Sequence, residues 1–468
     1  MINARSSKCT SVIAAIVAFS TTGHAQSLSP RPVTLPVALA FAREHQPAIR
    51  ASLARIAAAN ADAAVPRAEW LPQLGATAQV FLASANNTTG QYISSPYLDI
   101  PRIGASGAVN ASSFSFQPYG STFAGIGVGQ EVFDFGRIAA KSAAADALVD
   151  VARHASDLTR LDIDFGVEEA FYAVLAAKGV LTASEQAYER TREHRDYAKA
   201  GVDAKLTAPI ELTRAEADLA RFDIARIRAR GGVSTAQTGL AAAVGGSDLM
   251  LDAAGELPTA SDVPTLADAL AKAGSRDPRV AEALAKVHAQ EARTHAIFAE
   301  LRPDLSATAT FSARAGGADP TAVSASTVAD YNGWLPTVPN WDIGLVLSWS
   351  IYDGTVVARG HASAAMESAL REDVAAVKQV LNADVQRAYI ALQVARDALP
   401  GLDRAVLAAV ANYQQADARF KGGLGTAVEL ADAEALRTNA EIGLALGKFD
   451  VAKARAQLDR VIAQGLSK

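Results

Sequence analysis

A single cysteine, Cys9, is all the thiol chemistry this 468-residue chain carries. It precedes the apolar run SVIAAIVAFS, beside Arg5 and Lys8, and the small residues Gly23 and Ala25 follow. A basic start, a short apolar middle and a small-residue end make a secretory signal peptide over residues 1–25, with cleavage expected after Ala25. Ten apolar residues are too few to span roughly 30 Å of hydrocarbon as a membrane anchor. The mature chain is therefore expected to hold no thiol, no disulfide and no lipidated cysteine.

Long apolar runs are missing as well. No later segment approaches 18 consecutive apolar residues, so any membrane crossing would fall to strands. Aromatics make up 6% of a chain that is 50% hydrophobic, and alanine dominates. Small side chains in that proportion suit long, closely packed helices. Basic excess is absent too: 44 Lys and Arg against 49 Asp and Glu leave a net charge of −5, which offers no surface for nucleic acid. No HExxH or Walker sequence occurs, and the seven histidines are scattered. His288 and His295 stand two helical turns apart, too far to share a metal without outside ligands. GIGVGQ from Gly125 resembles part of a dinucleotide fingerprint but sits in an alternating strand rather than a βαβ unit. These absences argue against an enzyme, a cofactor and a metal.

What the chain does have is a duplication. The segment from Thr34 to Ala78 matches that from Thr265 to Ala309 at an offset of 231, aligning Pro47 with Pro278, Pro72 with Pro303 and Leu74 with Leu305. Asp134 meets Asp353 at an offset of 219; from Gly136 and Gly354 onward the offset is 218, pairing Glu211 with Glu429 and Glu216 with Glu434. Residues 26–245 then form a first repeat, 246–264 a linker and 265–468 a second repeat. Each repeat reads helix, strand, long polar loop, strand, very long helix, turn, long helix.

The strands alternate. In the stretch from Trp341 to Gly354, Trp341, Ile343, Leu345, Leu347, Trp349 and Ile351 share one parity, while Asp342, Gly344, Ser348 and Ser350 share the other, with Val346 the one large apolar exception. Leu74–Leu82, Thr122–Phe133 and Leu305–Ser312 are the other predicted strands. Helices are predicted over Val37–Glu69, Arg137–Ala200, Ile210–Val244 and Pro278–Glu300, with two more after Gly354 and Val428. The 64 residues of Arg137–Ala200 would span roughly 96 Å. Leu158, Phe165 and Tyr172 recur at seven, as coiled-coil packing requires. Two shorter helices, stacked end to end, are expected to flank each long one. Four strands are too few for a barrel, and open edges in lipid leave backbone groups unpaired. An apolar face toward lipid therefore demands oligomerisation, and three copies would supply twelve strands. Trp341 and Trp349 lie at the spacing of two interfacial aromatic girdles.

LPQL from Leu71 and RPDL from Arg302 precede the odd strands, VFDFGR from Val132 and IYDG from Ile351 follow the even ones, and KGGLGTAVELADAE starts at Lys421. In this order, over about Thr34 to Gly465, the chain resembles the TolC-type outer-membrane efflux proteins (outer membrane factors). The resemblance implies a mainly α chain with a transmembrane β-barrel. Four strands per chain would form a twelve-stranded barrel in a homotrimer, continuous with a long coiled-coil-like helical barrel. It also implies localisation in the outer membrane of a Gram-negative bacterium, extending into the periplasm. The implied function is an exit duct of a tripartite efflux or type I secretion system, with a periplasmic adaptor (membrane fusion) protein, an inner-membrane pump and outer-membrane lipid as partners. The alternative is a periplasmic coiled-coil adaptor or structural protein with no barrel; a passive porin would have no use for such long helices.

In that family, acidic residues near the last turn ring the periplasmic entrance. The matching positions are Glu429 and Asp432, three apart on one helix face. Glu211 corresponds in the first repeat, and Phe420 stands where an aromatic joins the gate. Ordinary first-turn carboxylates, favoured by the helix dipole, are the competing account of the acids. Gly425 replaces a gate arginine of some members, and Lys205 replaces the first repeat's turn glycine. Pro400 is expected to kink the second long helix.

Overall fold

The computed structural model describes residues 31–84, 118–246, 251–258, 263–316 and 338–464. The expected signal peptide, most of both long polar loops and parts of the linker lie outside the described residues. In chain order the elements are β1 (Arg31–Val33), α1 (Leu35–His45), α2 (Pro47–Ala68), β2 (Gln73–Ser84), β3 (Pro118–Phe133), α3 (Arg137–Asp203), α4 (Pro209–Ala243), β4 (Leu251–Ala253), α5 (Leu266–Arg276), α6 (Pro278–Ala299), β5 (Asp304–Gly316), β6 (Val338–Ser348), α7 (Gly354–Lys421) and α8 (Ala427–Val461).

The two very long helices have 67 and 68 residues, roughly 100 Å each. Helices α2 and α4 both pack on α3, and α6 and α8 both pack on α7, so each long helix has its two shorter companions. Helices α6 and α8 also touch α3 and join the repeats. Tyr172 of the heptad series is buried in a core against which Phe165 and Leu175 also pack. The main core lies near mid-height: Val167, Phe171, Val174, Leu240 and Val244 on one side, and Leu381, Val385, Leu392, Val451 and Leu458 on the other.

The segment expected as one helix over Val37–Glu69 is two. Gln46 is extended, with φ −65° and ψ 120°, because the ring of Pro47 disfavours the helical region for the residue before it. Asp277 before Pro278 breaks the second repeat in the same way. The predicted β6 is also shorter than expected. It ends at Ser348, opposite Asp304, where its partner β5 begins. Trp349 and Ile351 therefore lie beyond the strand, and the Trp349 indole Nε1 donates to the Leu301 carbonyl at 3.1 Å. Helix α7 continues through Pro400, so that proline does not end it.

Strands β2, β3, β5 and β6 form one antiparallel sheet in that order, and the β3–β5 pairing joins the repeats. The aspartates of the two strand-to-helix motifs cap the long helices. Asp353 accepts from the Thr355 and Val356 amides at 2.7 and 3.4 Å. Buried Asp134 accepts from the Gly136 amide at 3.0 Å and from the Ile138 amide. The sequence did not single out β1 and β4, which pair in parallel as a strap. Lys178 holds that strap to α3 through Asp252 at 2.6 Å and the Ala253 carbonyl at 2.8 Å.

Candidate functional site

Two regions carry the candidate residues: the sheet, and the turns at the opposite ends of the long helices. Across the sheet, register aligns Leu74, Val128, Ala309 and Ile343 in one row and Ala76, Ile126, Phe311 and Trp341 in the next. Trp341, Ile343, Leu345 and Leu347 are 63–77% exposed, and Trp349 follows beyond the strand end at 59%. Leu74, Ile126 and Phe311 are exposed on the same face. The opposite face presents Gly75, Gly127, Thr310 and Asp342 in one row and Gln73, Gly129, Thr308 and Gly344 in another. Thr310 donates its hydroxyl to Asp342 across β5 and β6. One face is thus an apolar band, and the other is polar or glycine-lined apart from Phe123 and Val346. The glycines of GIGVGQ belong to the second face, so that sequence is strand geometry rather than a phosphate loop. No helix among the described residues is long and apolar enough to cross a membrane.

At the far end, two helical hairpins turn. Gly423 takes φ +71° after α7, and Lys205, at the same place in the first repeat, takes φ +57°. Lys205 thus occupies the left-handed conformation that its glycine counterpart adopts freely. The residue after each, Leu206 and Leu424, is 82% and 78% exposed at its tip. Sequence reasoning missed this pair; the signal was a large apolar residue inside each polar turn.

The four predicted entrance residues do not form one cluster within the chain. Glu429 lies in the first turn of α8, where the Thr426 side chain caps its amide at 3.2 Å. Its carboxylate is exposed and 3.9 Å from Arg419. Asp432, one turn on, is exposed with no ion-pair partner among the described residues. Glu211 pairs with Arg214 at 3.2 Å and lines a cleft between the hairpins with Phe420, His194, Phe222 and Leu430. Phe420 packs edge-on against His194 and Tyr197, with centroids 6.2 and 5.8 Å away.

Behind that cleft lies a polar network that no motif announced. Arg190 on α3 forms hydrogen bonds of 2.8–3.0 Å to Glu434 on α8, which is 2% exposed and also accepts from Thr438. Burial works against the charge of Arg190, but its bonds to Glu434 prevail and hold its pKa above the ordinary value. Arg190 and Arg437 both lie over the Tyr413 ring, whose hydroxyl sits 3.0 Å from His194 Nε2. Burial pushes Tyr413 up to about 12 and His194 down. The network ties the two hairpins of one chain together. No group of metal-ligating side chains occurs among the described residues.

The outer membrane efflux protein family model matches residues 39–246 and 269–464, one stretch in each repeat. The chain belongs to the outer membrane efflux protein family. Its function is that of an outer-membrane channel for tripartite efflux, and the family is one of channels rather than enzymes. No curated protein sequence matches the chain. Among solved structures, the outer-membrane channel OprN is similar at 19% identity and TM-score 0.69, covering 92% of this chain and 90% of its own. The Campylobacter jejuni CmeC outer membrane channel gives 14% identity and TM-score 0.70, over 92% and 86%. VceC of Vibrio cholerae, an outer membrane protein, gives 16% identity and TM-score 0.67, over 92% and 97%. At these identities the likeness shows the fold; the family match, in both repeats, carries the membership.

Proposed function

We propose that three copies of this efflux protein close their sheets into a twelve-stranded barrel in the outer membrane of a Gram-negative bacterium. The observation that supports this most directly is the open sheet. Strands β2 and β6 each have an unpaired outer edge, and the band beside those edges is apolar and exposed. Unpaired edges cost several kcal/mol per group in lipid, and an even number of antiparallel strands per chain lets β6 of one copy pair with β2 of the next. The helices would then continue as a periplasmic barrel, meeting an adaptor protein and an inner-membrane pump at the tips. Leu206 and Leu424 are exposed apolar groups suited to contact that adaptor. Purified in detergent, the protein is expected to be a trimer by light scattering and to float with outer membranes. A monodisperse monomer would overturn the barrel.

Within that trimer, Glu429 and Asp432 would place six carboxylates around the entrance, with Glu211 and Phe420 behind them. Repulsion among so many like charges favours cations at the constriction, an effect that salt screens. In planar bilayers, Glu429→Ala with Asp432→Ala should lower cation selectivity and relieve block by multivalent cations. Unchanged selectivity and block would leave the acids with the helix-dipole role alone.

A further inference from the structure

Strand β6 has 11 residues, Val338–Ser348. At about 3.4 Å per residue and a tilt of about 40° it rises roughly 29 Å, enough to cross an apolar band of about 25 Å once. With the sheet in a membrane, Ser348 then marks one surface, and the turns beyond it lie among headgroups. The neighbouring strands agree: β3 ends at Phe133, and β5 begins at Asp304, opposite Ser348. The long helices leave from this side, which makes it the periplasmic leaflet, built of glycerophospholipids.

Large apolar side chains gather at that junction. Phe133, Phe135, Trp349, Ile351 and Tyr352 are 47–77% exposed there, and aromatic rings suit the headgroup level. Phe135 holds φ +52°, the kind of backbone strain that clusters at functional positions. The second repeat holds it in place: Arg302 Nη1 donates to the Phe135 carbonyl at 3.0 Å. The residue before Arg302, Leu301, accepts from Trp349 Nε1 at 3.1 Å. One exposed aromatic residue from each repeat is thus fastened to Leu301–Arg302.

Arg302 is also the cation left over. Its neighbours at the junction have carboxylates: Arg67 pairs with Asp146, Arg137 with Glu131, Lys141 with Glu69 and Arg359 with Glu300, at 2.6–3.3 Å. Arg302 has no carboxylate partner among the described residues, and its bond to Phe135 uses one of five N–H donors. A guanidinium with spare donors beside exposed rings fits a phosphodiester, which its planar fork can bind through two oxygens at once. The matching residue of the first repeat is Leu71, so the duplication does not repeat this charge.

We propose that Arg302, with Phe135 and Trp349 beside it, binds the phosphate of one periplasmic-leaflet glycerophospholipid per chain. The site presupposes the membrane reading of the sheet. Its test is fluorescence quenching in phosphatidylcholine vesicles containing brominated phosphatidylglycerol or brominated phosphatidylcholine. In the full chain carrying Trp70→Phe, Trp334→Phe and Trp341→Phe, Trp349 reports this place alone. Phosphatidylglycerol, whose headgroup has no cation of its own, should be preferred there about three- to fivefold. The preference should fall toward one near 1 M salt, where screening shortens to about 3 Å. Arg302→Gln should abolish it, although glutamine keeps an N–H for the Phe135 carbonyl and so spares the structural contact. Arg67→Gln, which removes a paired cation of the same junction, should leave it unchanged.

Equal quenching by both lipids, or a preference that survives Arg302→Gln, would overturn the site and leave the barrel standing. No quenching by either lipid would overturn the barrel reading and the site together. Inorganic phosphate at matched ionic strength should not displace the lipid; displacement would assign the site to a free anion and overturn the lipid. A second measurement needs no tryptophan replacement. In native mass spectrometry of the detergent-purified protein incubated with phosphatidylglycerol, each chain should retain one lipid that Arg302→Gln loses. Equal retention by the two would overturn the site.

Discussion

Replacing Glu168 by glutamine should stabilise the protein above neutral pH and leave it unchanged in acid. Glu168 lies on α3, part-buried at mid-height, facing Asp459 on α8, Asp164 one turn back and Arg43 on α1. Burial pushes its pKa from the ordinary 4.5 to about 7, and the charges of Asp459 and Asp164 push the same way. Arg43 opposes them but is already engaged, donating to Asp164 at 3.0 and 2.8 Å. Asp459, likewise raised by burial, faces Arg455 and Lys272.

The folded-state pKa therefore lies above the unfolded one. The favourable contribution of the protonated acid is complete below pH 4.5 and disappears as pH rises toward 7. The gap corresponds to about 3 kcal/mol at most. Glutamine keeps the shape and a hydrogen-bonding head without the charge. In detergent, denaturation at pH 8 should favour Glu168→Gln by about 1–3 kcal/mol, and the two curves should converge below pH 4.5. Glu169, the neighbour that pairs with Lys453 at 2.5 Å, is the control. A stabilisation of equal size at pH 4 and pH 8, or a loss at pH 8, would refute the burial argument.

Truncating Glu434 to alanine should cost about 3 kcal/mol, the low end for breaking a buried pair, because it leaves the part-buried Arg190 guanidinium with only Glu441, 3.6 Å away, as a carboxylate partner; a melting curve like that of wild type would mean water already reaches the pair. Leu345→Arg, on the exposed apolar face of β6, should cost about 2–4 kcal/mol of membrane stability. Ser348→Arg, on the opposite parity, should insert normally, and equal tolerance of the two would reverse the assignment of faces. Thr426→Ala removes the cap at the start of α8 and should cost about 1 kcal/mol, with Thr426→Ser restoring most of it in the same unfolding assay.

Much of the architecture was legible because it is written in period and repetition. A period of two marked all four sheet strands, and the 218-residue offset located α7 and α8 from α3 and α4. Local rules failed where a neighbour decides. Trp341–Ile351 alternates to its end, yet β6 stops at Ser348 because β5 offers no further partner. Gln46 looks helical until the Pro47 ring is counted. The entrance candidates came from motif position, and the fold places Glu429 and Asp432 on the α8 surface and Phe420 inside the cleft. Arg190–Glu434 was not readable at all: its members are 244 residues apart, and nothing in either local sequence points to the other.

The halves of the duplication differ most in how their helices begin. In the second repeat, Thr265, Asp277, Asp353 and Thr426 each accept a first-turn amide at the start of α5, α6, α7 and α8. In the first repeat, the residues at the cap positions of α1 to α4, namely Thr34, Gln46, Gly136 and Ala208, accept none through a side chain. Only Asp134 compensates, reaching α3 from two residues back, because Phe135 is inserted relative to the second repeat. That insertion forces Phe135 to φ +52°, a conformation costly for a bulky side chain. Each cap is worth about 1 kcal/mol, so the second repeat holds its helix starts locally while the first depends more on contacts made across the chain. Those contacts are present: α3 packs against α6 and α8 of the other half. The two hairpins of the duplication thus start their helices differently, the second capped by its own side chains and the first held mainly by packing against the second.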